Sequence, residues 1–141
     1  MNAGRRAILV VTDDSEAGRL IAQACRKARL PNPLKIVATG DAAIAYLNGD
    51  GKFSDRKEHP LPLLLLLDLD LPKRAGYKVL AWTGRRYWSQ DLVILGLAGR
   101  EAHNDFPKAR RFGATSCLAK PIDFGKLCPI VKILNRRFSD K

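Results

Sequence analysis

The chain has 141 residues, 46% hydrophobic and 28% charged, which suits one compact domain and excludes a disordered chain. Its 25 Lys and Arg against 14 acids leave a formal charge of +11, which permits nucleic acid, an anionic surface or an acidic protein as partner. No apolar run approaches the ~18 residues of a membrane span, so a cytoplasmic protein is expected.

In chain order, residues 7–11 (AILVV) predict a buried strand, and the stretch is too short and too soon followed by acids for a signal peptide. Ala17, Leu20, Ile21, Ala24, Cys25 and Ala28 then share one helical face, with Ser15 as its N-cap. Residues 34–38 (LKIVA) predict the second strand, and Asp41 the cap of a helix carrying AAIAYL. The polar stretch NGDGKFSDRKEHP leads into LLLLLDLDLPKRAGYKVL at 63–80. Its five leucines predict a third strand, at 63–67, buried on both faces. Ionised carboxylates resist burial unless paired or bound to a cation, so Asp68 and Asp70 should lie where this strand leaves its sheet. Tyr77, Leu80 and Ala81 open a third helical stripe. Residues 92–97 (LVILGL) and 115–119 (TSCLA) complete the strands; EAHNDFPKARRF follows the fourth and DFGKLCPIVKILNRRF, capped by Asp123, the fifth. Pro107 and Pro129 fall inside these last two helices, which should start late or kink. The three cysteines show no C-x-x-C spacing and read as reduced, mostly buried thiols; His59 and His103 lie in polar stretches and read as solvated. The basic residues are scattered without aromatic interleaving, the pattern of a solvated surface.

Strands alternating with helices predict an α/β fold, a parallel sheet covered on both faces with right-handed crossovers. Ligands of such sheets bind at the carboxyl ends of the strands, near a topological switch point. Asp13 and Asp14 follow the first strand, Asp68 and Asp70 the third and Lys120 the fifth, so acids and one cation converge on that edge. Clustered carboxylates repel one another, and Mg²⁺ held by one or two carboxylates, waters and phosphate oxygens relieves the repulsion. A lysine beside them can pair with a phosphoryl group, so the set suits phosphoryl transfer onto a carboxylate.

The motifs ILVVTDD, LLLLDLDLPKRAG and LAKPIDF, in that order and with that rhythm, resemble the receiver domains of bacterial response regulators (CheY-like) over nearly the whole chain. The resemblance implies a flavodoxin-like (βα)5 sheet of order 2-1-3-4-5. It also implies a single receiver domain over 1–141 with no output domain. The insertion NGDGKFSDRKEHP looks like that of stand-alone regulators that partner phytochrome-type kinases. By the same resemblance Asp68 is the phosphoacceptor, Lys120 contacts the phosphoryl group, and the Lys120–Pro121 bond is cis. Asp13, Asp68 and the backbone carbonyl of Asp70 are the ligands of Mg²⁺ (or Mn²⁺), and Gly76 takes the turn after the acceptor strand with φ > 0. The implied function is a two-component phosphoacceptor, no enzyme beyond slow self-phosphorylation and self-dephosphorylation. Its implied partners are a sensor histidine kinase or phosphotransfer protein, a downstream protein met by contact, and a second copy through the helix 4–strand 5–helix 5 face.

The departures are as specific. Thr12 replaces the first acid of the family's pair, and Asp14 could stand in only by a register slip reversing the strand's faces. Ala98 stands where the family has Ser or Thr, Cys117 where it has an aromatic switch residue, and Ala75 where an acid is common. These losses predict retained phosphorylation with blunted propagation. Three rival readings stay open: a haloacid-dehalogenase-type phosphatase using the DLD motif, a phosphorylation-independent pseudo-receiver acting as a protein or nucleic-acid binding module, and a nucleic-acid or anionic-surface binder resting on the charge.

Overall fold

The leucine run forms the middle of the sheet. In the structure, a computed structural model describing residues 6–86, 91–99 and 106–139, every residue of β3 (Pro62–Asp68) is buried. It pairs in parallel with β1 (Ala7–Val11) on one side and β4 (Val93–Ala98) on the other. β2 (Leu34–Val37) and β5 (Ser116–Ala119) form the edges, giving the predicted order β2-β1-β3-β4-β5. Leucine is no strong strand former, but a strand bonded on both sides and covered on both faces is held by burial rather than propensity.

Alternate strand residues point to opposite faces. Ile8, Val10, Leu64 and Leu66 pack under α1 (Ser15–Lys27) and α5 (Phe124–Ser139), through Ile21, Leu127 and Val131. Leu9, Val11, Leu65 and Leu67 pack under α2 (Gly40–Asn48), α3 (Ala75–Thr83) and α4 (Phe106–Arg111), through Tyr46, Leu80 and Ala109. Among the described residues no helix is long and apolar enough to cross a membrane.

Two caps move from their predicted positions. Asp14, not Ser15, caps α1, its side chain accepting the amides of Glu16 and Ala17. Thr39, not Asp41, caps α2 through the amide of Ala42. In both cases the extended backbone that a cap requires ends one or two residues earlier than composition suggests. Asp123 does accept the Gly125 amide at 2.9 Å, at the start of α5 as predicted. Pro107 falls in the first turn of α4, where no intrahelical donor is lost. Residues 101–105 of that predicted stretch lie outside the described residues. α5 runs on through Pro129.

The insertion is fastened rather than loose. Arg56 donates to the carbonyls of Tyr46 (2.8 Å), Leu47 (2.9 Å) and His59 (3.1 Å), and the Tyr46 hydroxyl donates to the Pro60 carbonyl at 2.7 Å. His59, expected in solvent, packs edge-on against Phe53 and Tyr46 at ring separations of 5.2 and 5.8 Å. Its neighbours' apolar area, invisible in a polar stretch of sequence, draws it in; His103 lies outside the described residues.

Cys25, Cys117 and Cys128 are unpaired thiols. Burial between α1 and α5, with Cys128 nearby, pushes the Cys25 thiol up to about 11. At pH 8 only about one such thiol in a thousand is the reactive thiolate. Peptide mapping after iodoacetamide should therefore find Cys25 the slowest of the three to alkylate. Labelling at the pace of half-buried Cys128 would mean that the α1–α5 seam opens readily.

Candidate functional site

The carboxyl ends of β1, β3, β4 and β5 bring four side chains together. β1 runs in unbroken register with β2, and the Thr12 amide donates to the Val37 carbonyl at 3.0 Å, so no slip carries Asp14 inward. Asp68, the last residue of β3, is 2% exposed, with both carboxylate oxygens engaged. The Thr12 hydroxyl donates to its Oδ2 at 2.9 Å; the Asp70 amide and the Lys120 ammonium donate to its Oδ1, each at 2.8 Å.

Lys120 is set by its own amide, which donates to the Ala98 carbonyl at 2.9 Å, and its bond to Pro121 is cis. Its Nζ also lies 3.0 Å from Asp70 Oδ2, and that oxygen accepts the Gly99 amide at 2.8 Å. Burial lowers the Lys120 pKa, but the hydrogen bonds and charges of Asp68 and Asp70 outweigh it, so the net shift is upward from the ordinary lysine value. Sequence reasoning assigned Asp70 only its backbone carbonyl. The side-chain bridge from Lys120 to Gly99 has no local signal, because its ends lie on different strands.

Gly76 corrects an expectation. It lies inside α3, and the positive φ angles after the strand belong to Lys73 (58°) and Arg74 (56°). The glycine is needed for close approach instead: a Cβ there would meet the Asp68 carbonyl oxygen at 3.0 Å. Ala98 ends β4 fully buried, and half-buried Cys117 faces Gly96 across β4 and β5. A Cβ at Gly96 would meet the Leu69 side chain at 2.8 Å and Cys117 Sγ at 3.3 Å, so Leu69 fills space at the aromatic position.

Above Asp68 opens a hollow of about 430 Å³, lined by Thr12, Asp14, Leu20, Lys120 and Phe124 among others. Asp14, exposed at its rim, is occupied in capping α1. Asp13 is exposed, has no hydrogen bond or ion pair to a described residue, and lines an adjoining hollow with Arg19 and Ile36. Among the described residues no three His, Cys, Asp or Glu side chains are grouped to hold a metal ion. The donors that the sequence assigns to a metal are hard oxygens: the Asp68 and Asp13 carboxylates, which line adjoining hollows, and the Asp70 carbonyl. That set fits Mg²⁺, which commonly takes one or two carboxylates and completes its shell with water and phosphate.

The family model for the response regulator receiver domain matches residues 8–132. Over 76 residues the chain is 37% identical to response regulator Rcp1 of Synechocystis sp., covering 54% of this chain and about half, 50%, of that relative. The fold superposes on bacteriophytochrome response regulator RtBRR with a TM-score of 0.76 and 29% identity, covering 92% of this chain and 78% of that one. For the phosphorylated cyanobacterial phytochrome response regulator RcpA the TM-score is 0.75 at 27% identity, covering 92% and 91%. The solved Mn²⁺-bound form of Rcp1 gives a TM-score of 0.72 at 26% identity over 92% and 91% of the chains.

Proposed function

The chain belongs to the response regulator receiver domain family of two-component signalling, and from that premise we propose that Asp68 accepts a phosphoryl group from a histidine kinase or phosphotransfer protein. One observation carries the reading: a buried carboxylate at the end of the central strand, with a lysine ammonium 2.8 Å from one of its oxygens. In the transfer an Asp68 oxygen attacks phosphorus while the P–N bond to the donor imidazole breaks, its electron pair staying on nitrogen. Lys120 holds negative charge on the arriving group. A Mg²⁺ at Asp13, Asp68 and the Asp70 carbonyl would neutralise phosphoryl oxygens. Thr12 brings a hydroxyl in place of a second acid, so this cation is held more weakly than by a full acidic pair. The phytochrome-linked relatives support a kinase of that type as donor; output is by contact with a downstream protein.

Ala98 offers no hydroxyl to the phosphoryl group. A hydrogen bond to a charged group contributes roughly 1.5–3 kcal/mol, against about 5.5 kcal/mol to swing a two-state element from 1:99 to 99:1. The customary switch is therefore blunted while acceptance is kept. Intact mass after incubation with Mg²⁺ and acetyl phosphate tests this: one phosphoryl group should add to the parent and none to Asp68→Asn. The competing pseudo-receiver reading draws on the internally satisfied Asp68, and a folded parent that gains no mass would favour it.

A further inference from the structure

The donors that a phosphoryl group on Asp68 would seek are already taken by a carboxylate of the chain itself. Asp70 Oδ2 sits between the Lys120 ammonium, at 3.0 Å, and the Gly99 amide, at 2.8 Å. Asp68 Oδ1 shares the same ammonium, and Asp68 pairs across β3 and β4 with Leu97, two residues before Gly99. An oxyanion held by an ammonium and a backbone amide is the arrangement that a phosphoryl oxygen requires. Gly99 makes the approach feasible, since a Cβ there would lie 3.1 Å from Asp70 Oδ2. The Asp70 backbone is tied down separately, through its amide to Asp68 Oδ1 at 2.8 Å, so its side chain can leave without moving the loop.

We propose that the Asp70 side chain is a built-in occupant of the phosphoryl seat, a carboxylate that must swing out before the Lys120 ammonium and Gly99 amide can hold a phosphoryl group on Asp68. The inference rests on Asp68 being the acceptor. Asp68 and Asp70 already share the ammonium, and a phosphoryl group, with up to two further negative charges, would be strongly repelled by a carboxylate left in place. The Asp70 side chain is 35% exposed, so its way out leads to water. Asp70 thus acts as a positioning residue, slowing the arrival of the group. With alanine at 98, the released carboxylate is also what changes at the surface on phosphorylation.

The test compares the parent with Asp70→Ala and Asp70→Asn, each incubated with Mg²⁺ and acetyl phosphate and followed by intact mass. In this step the P–O bond to acetate breaks, a P–O bond to Asp68 forms and acetate leaves. Asp70→Ala should gain the phosphoryl group about tenfold faster, equivalent to about 1.4 kcal/mol. Asp70→Asn, which keeps an acceptor for the Gly99 amide but no charge, should fall between. Amide NMR supplies a readout that a structural role would not move. Phosphorylation of the parent should move the Gly99 resonance to the position it takes in phosphorylated Asp70→Ala, since in both the amide then faces the phosphoryl group. Equal rates in parent and both variants, with a Gly99 resonance indifferent to phosphorylation, would overturn this inference and leave the acceptor reading standing. Mass gain in neither parent nor variants would remove the acceptor reading and this one with it.

Discussion

Lys120→Met should lower the unfolding free energy by about 3 kcal/mol at neutral pH, because breaking a buried ion pair strands the remaining charge. The Asp68 side chain is 3% exposed, and without the ammonium it keeps only the Thr12 hydroxyl and the Asp70 amide as donors. Asp70 would also lose this ion pair. The loss should depend on pH. The folded pKa of Lys120 is raised, so what it contributes is complete below the unfolded lysine value of roughly 10.4 and fades as pH climbs through the folded one. Parent and variant should therefore differ fully at neutral pH and converge only as pH rises through the folded lysine value, as read by urea unfolding at several pH values. A variant as stable as the parent at pH 7 would mean that the hydroxyl and amide alone satisfy Asp68.

Arg56→Ala should cost a comparable amount, about 3 kcal/mol, since charge-assisted hydrogen bonds contribute roughly 1.5–3 kcal/mol each and are not additive. One guanidinium collects three carbonyls, two from the last turn of α2 and one from His59. It also lies over the Tyr46 ring, 5.8 Å from its centroid, so packing is lost together with the bonds. Arg56→Lys keeps the charge but not the planar fork, and should recover less than half of the loss. Hydrogen exchange should show the damage first in the Tyr46 to Pro60 stretch, leaving the sheet protected. Uniform loss of protection across β1 and β3 would instead make the insertion part of the global folding unit.

The fold was legible because its strongest signal is chemical. A run of five leucines ending in aspartate admits few readings other than a central strand meeting a polar edge. The acid and lysine positions followed from topology, since strands far apart in sequence end side by side. What escaped was geometry at the scale of one residue. Asp14 and Thr39 took the caps from Ser15 and Asp41 because a cap is chosen by where the backbone turns helical, which composition marks only to within a residue or two. Gly76 was read as a turn former, yet its role is close packing against β3, a contact no local pattern encodes. His59 sits among apolar rings because residues on α2 and the insertion meet in space. The Asp70 bridge to Gly99 joins positions 29 residues apart and depends on a missing side chain.

The leucine strand also sets an order of events during folding. Leucine ranks with the best helix formers, so before the sheet exists residues 63–67 favour local helical turns over an extended chain. Helical turns form in under a microsecond, whereas β3 needs β1, aligned as Leu65 with Leu9, and β4, aligned as Leu65 with Ile94. Such distant pairing must first overcome loop-closure entropy. A strand that needs both neighbours thus gains its full set of partners only after two long loops close. Until both neighbours arrive, five adjacent leucines stand open to other chains, which makes the most buried part of the finished molecule the most exposed part of the unfinished one.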